Sequence, residues 1–182
     1  MPTNIKENIP ESKNPKLKLP GFFILLTYLS AVIAVRLIIA DVLPAIKDSK
    51  NYIDEVKWFY ELKAYLAMLF QFLSIFAVIY LYLKPKISWF LLALSSIGNF
   101  IFLLPNINSF SIYKSSGADH LVNAHLIINV ALTIFFGISS LSLFALNPGS
   151  KIKWSTKIIY YFISGCSLIY IFTHQPEVKI PF

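Results

Sequence analysis

Apolar runs long enough to cross a bilayer recur along most of this chain, with lysines gathered between alternate pairs of them. The runs are Phe22–Leu43, interrupted only by Arg36 and Asp41, then Tyr65–Leu83, Trp89–Leu104, Leu121–Leu146 and Ile158–Thr173. A hydrocarbon core of about 30 Å takes roughly 20 residues of helix to cross. Within lipid a spanning segment must also satisfy its own backbone hydrogen bonds, which leaves helices or closed barrels. Runs of this length and composition predict an all-α, polytopic transmembrane bundle of about five spans, or four if the last falls short. Only 14% of the 182 residues are charged and 57% are hydrophobic, so the stretches between the runs are too short to form a second, water-soluble core.

The formal charge of +7 invites a nucleic-acid reading, but its distribution argues otherwise. Acidic and basic residues nearly cancel within 41–63 and around Lys114 and Lys179. The excess falls on Lys6, Lys13, Lys16 and Lys18, on Lys84 and Lys86, and on Lys151, Lys153 and Lys157. This is the positive-inside pattern, in which lysines mark cytoplasmic connections and meet anionic head groups. It places the N-terminus in the cytoplasm and excludes nucleic acid as the reason for the charge. The expected layout is a flexible tail over 1–20, a bundle over 21–175 and a short tail over 176–182. The bundle has spans at about 22–43, 65–83, 88–105, 120–146 and 157–173. An outer amphipathic segment at 45–64, carrying Trp58 and Tyr60 at head-group level, joins the first two. Pro44 and Pro105 are expected to end spans, and Lys157 to snorkel at the base of the last. Trp89 is expected to anchor the inner end of the third span. The polar, proline-punctuated start is unlike a cleavable signal. The expected location is a prokaryotic plasma (inner) membrane.

Cys166 is the single cysteine and lies in the last run, so neither a disulfide framework nor a thiolate metal cluster is available. Arg36 is the costliest residue for a lipid-facing helix, at about 2.5–3.5 kcal/mol near the centre of a span. It invites an ion, proton or quinone site, yet a structural ion pair is the plainer reading. Asp41, five positions on, falls on a different face of a regular α-helix and is a poor partner there. By depth alone, Arg36, Asp41, Glu61, Asp119, His120, His125 and His174 form a polar outer-leaflet cluster. Imidazoles and carboxylates at one depth suit a metal or a proton relay. The spacing does not favour it: His120 and His125 project about 140° apart around a helix. His125, His174 and Asp119 are the metal candidates if there is any metal. No catalytic residues converge, and phosphate-loop, zinc-protease and nucleophile-elbow motifs are absent.

The fourth run carries a stripe, Asn129, Thr133, Gly137 and Ser140, continuing from His125 at spacings of four, four, four and three. Small and polar residues on one face let membrane helices approach closely and hydrogen-bond. Gln71 and Ser74, then Ser95, Ser96, Gly98 and Asn99, and Ser164, Gly165 and Ser167 provide similar positions on other runs. Such stripes read as bundle seams, or as a narrow cavity where a seam fails to close.

Residues 20–100 contain Pro20-Gly21-Phe22 opening the first run and Val35-Arg36-Leu37 within it. Tyr60-Glu61 stands before the second run and Lys84-Pro85-Lys86 after it. On these motifs the region resembles a bacterial family of small, roughly four-span inner-membrane proteins, a domain of unknown function. That family usually has tryptophan where this chain has Phe22, and its aromatic-proline and basic closing motif is missing here. The resemblance implies a helical membrane fold and no activity.

These features predict a non-catalytic structural or accessory subunit of a membrane complex, with no cofactor, whose partners are the bilayer and other membrane subunits or further copies of itself. A redox, metal-, haem- or quinone-linked component using the outer polar cluster is the alternative. An oligomeric transporter or channel is the second.

Overall fold

The computed structural model describes residues 19–49, 54–113, 119–148 and 152–173, with side chains described over 19–48, 57–104, 126–148 and 152–170. All regular structure among them is helical: α1 (Gly21–Leu37), a π-helical turn (Ile38–Val42), α2 (Leu43–Ser49), α3 (Asp54–Leu83), α4 (Pro85–Tyr113), α5 (Asp119–Ala145) and α6 (Trp154–Thr173). Four segments are long and apolar enough to cross a membrane: Gly21–Asp48, Lys57–Leu83, Pro85–Leu104 and Leu126–Ala145. The chain is thus an all-α bundle with the makings of a multi-pass membrane protein. Its outward surface is dense in large apolar side chains, Leu25, Val32, Ile39, Ile79 and Leu141 among them. That surface is stable in lipid and not in water.

α4 is the central helix. It packs against α3 on one side and α5 on the other, α1 lies along α3, and α6 rests on α4. Only Lys84 separates α3 from α4. Pro85 suits the first position of a helix, where its missing N–H costs nothing, and the Lys84 carbonyl accepts from Ile87 and Ser88 N–H at 2.9 and 3.1 Å. Ser88 Oγ then donates to Ala77 O across the hairpin at 2.7 Å.

Several expected boundaries move. Pro44 does not end the first helix, which runs without a break from Gly21 to Ser49. A proline ring collides with the carbonyl four residues back, here Ala40. The π-helical turn immediately ahead of Pro44 widens the coil and shifts those carbonyls out of register. Pro105 likewise sits within α4, which continues to Tyr113. One lost backbone bond does not stop a helix already clamped between two neighbours. Within the outer segment 45–64, 45–49 closes the first helix and 54–64 runs on into the second span as the start of α3. Trp58 is exposed as expected, while Phe59 beside it is buried with Lys63 Nζ 4.4 Å above its ring.

The end of the bundle near the Lys84 turn holds the largest core. Trp89, expected at the interface, is instead fully buried with Phe23, Leu81, Leu92 and Leu143. Its Nε1–H donates to Leu143 O at 2.8 Å, the partner a buried indole requires. Lys157 does not snorkel either. It is only 1% exposed, and its ammonium donates to Phe144 O at 2.9 Å and Leu146 O at 2.6 Å. Those carbonyls lie at the end of α5, where the helix dipole favours a cation. The rings of Trp89 and Trp154 stand 5.5 and 5.7 Å from the same nitrogen.

Candidate functional site

Buried polar side chains concentrate between α3 and α4. Gln71 and Asn99, 1% and 0% exposed, form a reciprocal carboxamide pair. Gln71 Nε2 donates to Asn99 Oδ1, and Asn99 Nδ2 donates back to Gln71 Oε1 at 3.4 Å. Asn99 Nδ2 also donates to Ser95 Oγ at 3.2 Å, and Ser95 Oγ donates to Phe70 O at 2.7 Å. Ser74 Oγ completes the set by donating to Ser95 Oγ. A hydroxyl has one proton and two lone pairs, so Ser95 is fully satisfied. The network fixes the register of the two helices where no water is present to compete. Gly98 lets them close up: a Cβ there would stand 2.6 Å from three atoms of the Phe70 ring.

One turn further along the bundle this network meets α1 and α5. Leu37, Asp41, Val42, Gln71, Asn99, Phe102, Leu103 and Asn129 line a cavity of about 40 Å³. The polar members come from four segments: the π-helical turn, α3, α4 and α5. Counting the rise from Lys84, Gln71 and Asn99 stand roughly 20 Å along the hairpin, well within a hydrocarbon core. Asp41 Oδ2 is buried, and among the described residues no hydrogen-bond donor reaches it. Arg36 Nη1 lies 3.9 Å from that oxygen. The pairing that an α-helix disfavours is made by the π-helical turn, whose wider coil brings residues five apart onto one side. Arg36 itself is 43% exposed against 25% for Asp41, so the guanidinium stands outside and the carboxylate turns in.

Of the seven residues grouped by depth, the structure joins Arg36 and Asp41. Glu61 is ten residues, roughly 15 Å, along α3 from Gln71 and does not line the cavity. Asp119, His120 and His125 lie in α5, but their side chains, like all of His174, are outside the described residues. Among the described residues no group of three His, Cys, Asp or Glu side chains is placed to hold a metal ion.

The α5 stripe divides by position. Asn129 and Thr133 are buried, each 4% exposed, and Thr133 Oγ1 donates to Asn129 O at 2.7 Å. Gly137 faces α4, where an added Cβ would stand 3.2 Å from Phe100 Cε2. Ser140 O accepts from Tyr161 of α6 at 2.7 Å. Between these contacts the seam stays open as a surface groove of about 410 Å³, lined by Phe100, Thr133, Ile134, Gly137, Ser140 and Leu141. On α6, Ser164 and Gly165 are half-buried, and Ser167 is exposed beside Cys166.

Gln71 and Asn99 were legible in the sequence as seam residues but not as a pair, and Asp41 not as their neighbour. Comparison with protein-family models, with curated proteins and with solved structures gives no match to this chain.

Proposed function

We propose that this protein is a non-catalytic structural or accessory subunit of a membrane complex. The observation that carries the reading is the use of its buried polar groups. Gln71, Asn99, Ser95, Ser74 and Ser88 bond one another or backbone carbonyls across the α3–α4 seam. Side chains engaged in this way hold helices together and offer a substrate little. The open groove on α5 supports the partner half of the reading. Small residues such as Gly137 and Ser140 allow a neighbouring helix to approach closely, and packing rather than hydrophobicity drives association in lipid.

The test is extraction of the native protein in a mild detergent, followed by size-exclusion chromatography with light scattering. The expected result is an assembly larger than one 20.7 kDa chain plus its micelle. Recovery solely as a monodisperse monomer, across several mild detergents, refutes the proposal.

A further inference from the structure

Asp41 Oδ2 is a buried carboxylate oxygen that no donor among the described residues reaches, a costly arrangement unless something positive meets it. Arg36 meets it poorly, because 3.9 Å is beyond the roughly 3.2 Å limit of a good N–H···O bond. We propose that the cavity beside Asp41 is a binding site for one small monovalent metal cation of the sodium class. This goes beyond the accessory-subunit reading and stands without it.

Size, donor chemistry and charge each narrow the ligand. A cavity of about 40 Å³, against the roughly 10–15 Å³ that one water needs on the same measure, has room for an ion together with a few waters. The polar lining is the Asp41 carboxylate and the carboxamides of Gln71, Asn99 and Asn129, whose oxygens are the donors on offer. Pairing between Gln71 and Asn99 leaves each carbonyl oxygen a second lone pair. These are hard oxygen ligands, suited to alkali and alkaline-earth ions rather than to zinc or copper. Once Arg36 withdraws, one carboxylate balances one positive charge, whereas a divalent ion would leave an excess charge in a low dielectric.

Arg36 then acts as a tethered counterion. Half-exposed on the outer side of the helix, it compensates Asp41 when the cavity holds no ion and swings toward head groups when one enters. Both structural signs point the same way. π-helical turns inside α-helices recur at functional sites, and ionisable residues within membrane spans mark ion sites.

The test uses the full-length protein in detergent, with thermal unfolding followed in sodium, choline and calcium chloride at matched ionic strength. A ligand that binds only the folded state raises the midpoint. Sodium is expected to raise it and choline not. Asp41→Asn should abolish the sodium-specific rise. Arg36→Gln, at a half-exposed position, should tighten apparent sodium affinity by about tenfold or more, since it removes the cation that competes with sodium for Asp41. Where Asp41→Asn does not fold, Arg36→Gln decides the matter. Equal responses to sodium and choline overturn the proposal. So does a sodium-specific rise that persists in Asp41→Asn, an Arg36→Gln affinity that is unchanged or weaker, or a larger response to calcium than to sodium.

Discussion

Gly98→Ala is the most economical probe of the central seam. The added Cβ would stand 2.6 Å from Cγ, Cδ1 and Cδ2 of Phe70, against an ordinary carbon–carbon separation of about 3.5–4.0 Å. Roughly 1 Å must be found. The ring cannot readily yield it: Phe70 is buried against Ile97 and Leu168, with Leu73 and Phe102 packed behind. The helices must therefore move apart, and the first bonds to stretch are Ser95 Oγ to Phe70 O and the Gln71–Asn99 pair. Overpacking of this kind costs about 1–3 kcal/mol, and a weakened interhelical hydrogen bond in a membrane protein adds about 0.6. Against this stands a gain of up to about 1 kcal/mol in helix propensity for alanine over glycine. The net expectation is a loss of about 0.6–2.6 kcal/mol. Gly165→Ala on α6 is the matched control, because no atom lies within 4 Å of the Cβ it would add. It collects the propensity gain without the clash. Unfolding by SDS titration, followed by circular dichroism, should separate the two variants clearly. Phe70→Leu in the Gly98→Ala background should recover part of the loss as a coupling in a double-mutant cycle. If Gly98→Ala is as stable as Gly165→Ala, the close approach of α3 and α4 is wrong.

Two further predictions concern groups that are buried and satisfied. Lys157→Met keeps the bulk of the stem but withdraws the donor to Phe144 O and Leu146 O. It should cost about 1.5–3 kcal/mol, and the fluorescence of neighbouring Trp89 and Trp154 should change in the same variant; unchanged stability and emission would contradict the cap. Asn99→Leu strands the Gln71 carboxamide and should cost about 1–3 kcal/mol, whereas the double variant Gln71→Leu/Asn99→Leu should recover most of it, since replacing both partners removes the orphan. A double variant no better than the single one would mean that the pair does not hold the seam.

The spans were legible because lipid imposes a requirement that sequence displays openly: about 20 apolar residues in a row. What the sequence concealed was azimuth. Grouping Arg36, Asp41, Glu61, Asp119 and the histidines by depth treats a helix as a line. Which of them face one another depends on rotation about the axis, and a π-helical turn resets that rotation by one extra residue. Nothing within Ile38–Val42 announces the turn; the signal is Pro44 just beyond it, whose ring needs relief from the carbonyl of Ala40. Read that way, Pro44 marks a widened coil rather than an end. Lys157 and Trp89 were misplaced for a related reason. Their residue types are common at membrane interfaces, but each also carries donors that fit the carbonyls at the end of α5.

One further signal was present and bears on how the polar residues find partners. A hairpin with a single-residue turn forces positions equidistant from that turn to face each other. Gln71 lies thirteen residues before Lys84 and Asn99 fifteen after it; Ser74 and Ser95 stand ten before and eleven after. The same symmetry holds across the connection between α5 and α6, where Ser140 pairs with Tyr161 and Phe144 with Lys157 about a common midpoint. Mirror positions about a hairpin connection thus point to interhelical hydrogen bonds from sequence. About the 50–53 link, however, Asp41 mirrors Leu62 and not Gln71; it comes to line one cavity with Gln71 and Asn99 through the coil geometry that Pro44 demands. The site proposed for a cation is therefore the part of the bundle that sequence symmetry specifies least, and it is where a carboxylate was left without a donor.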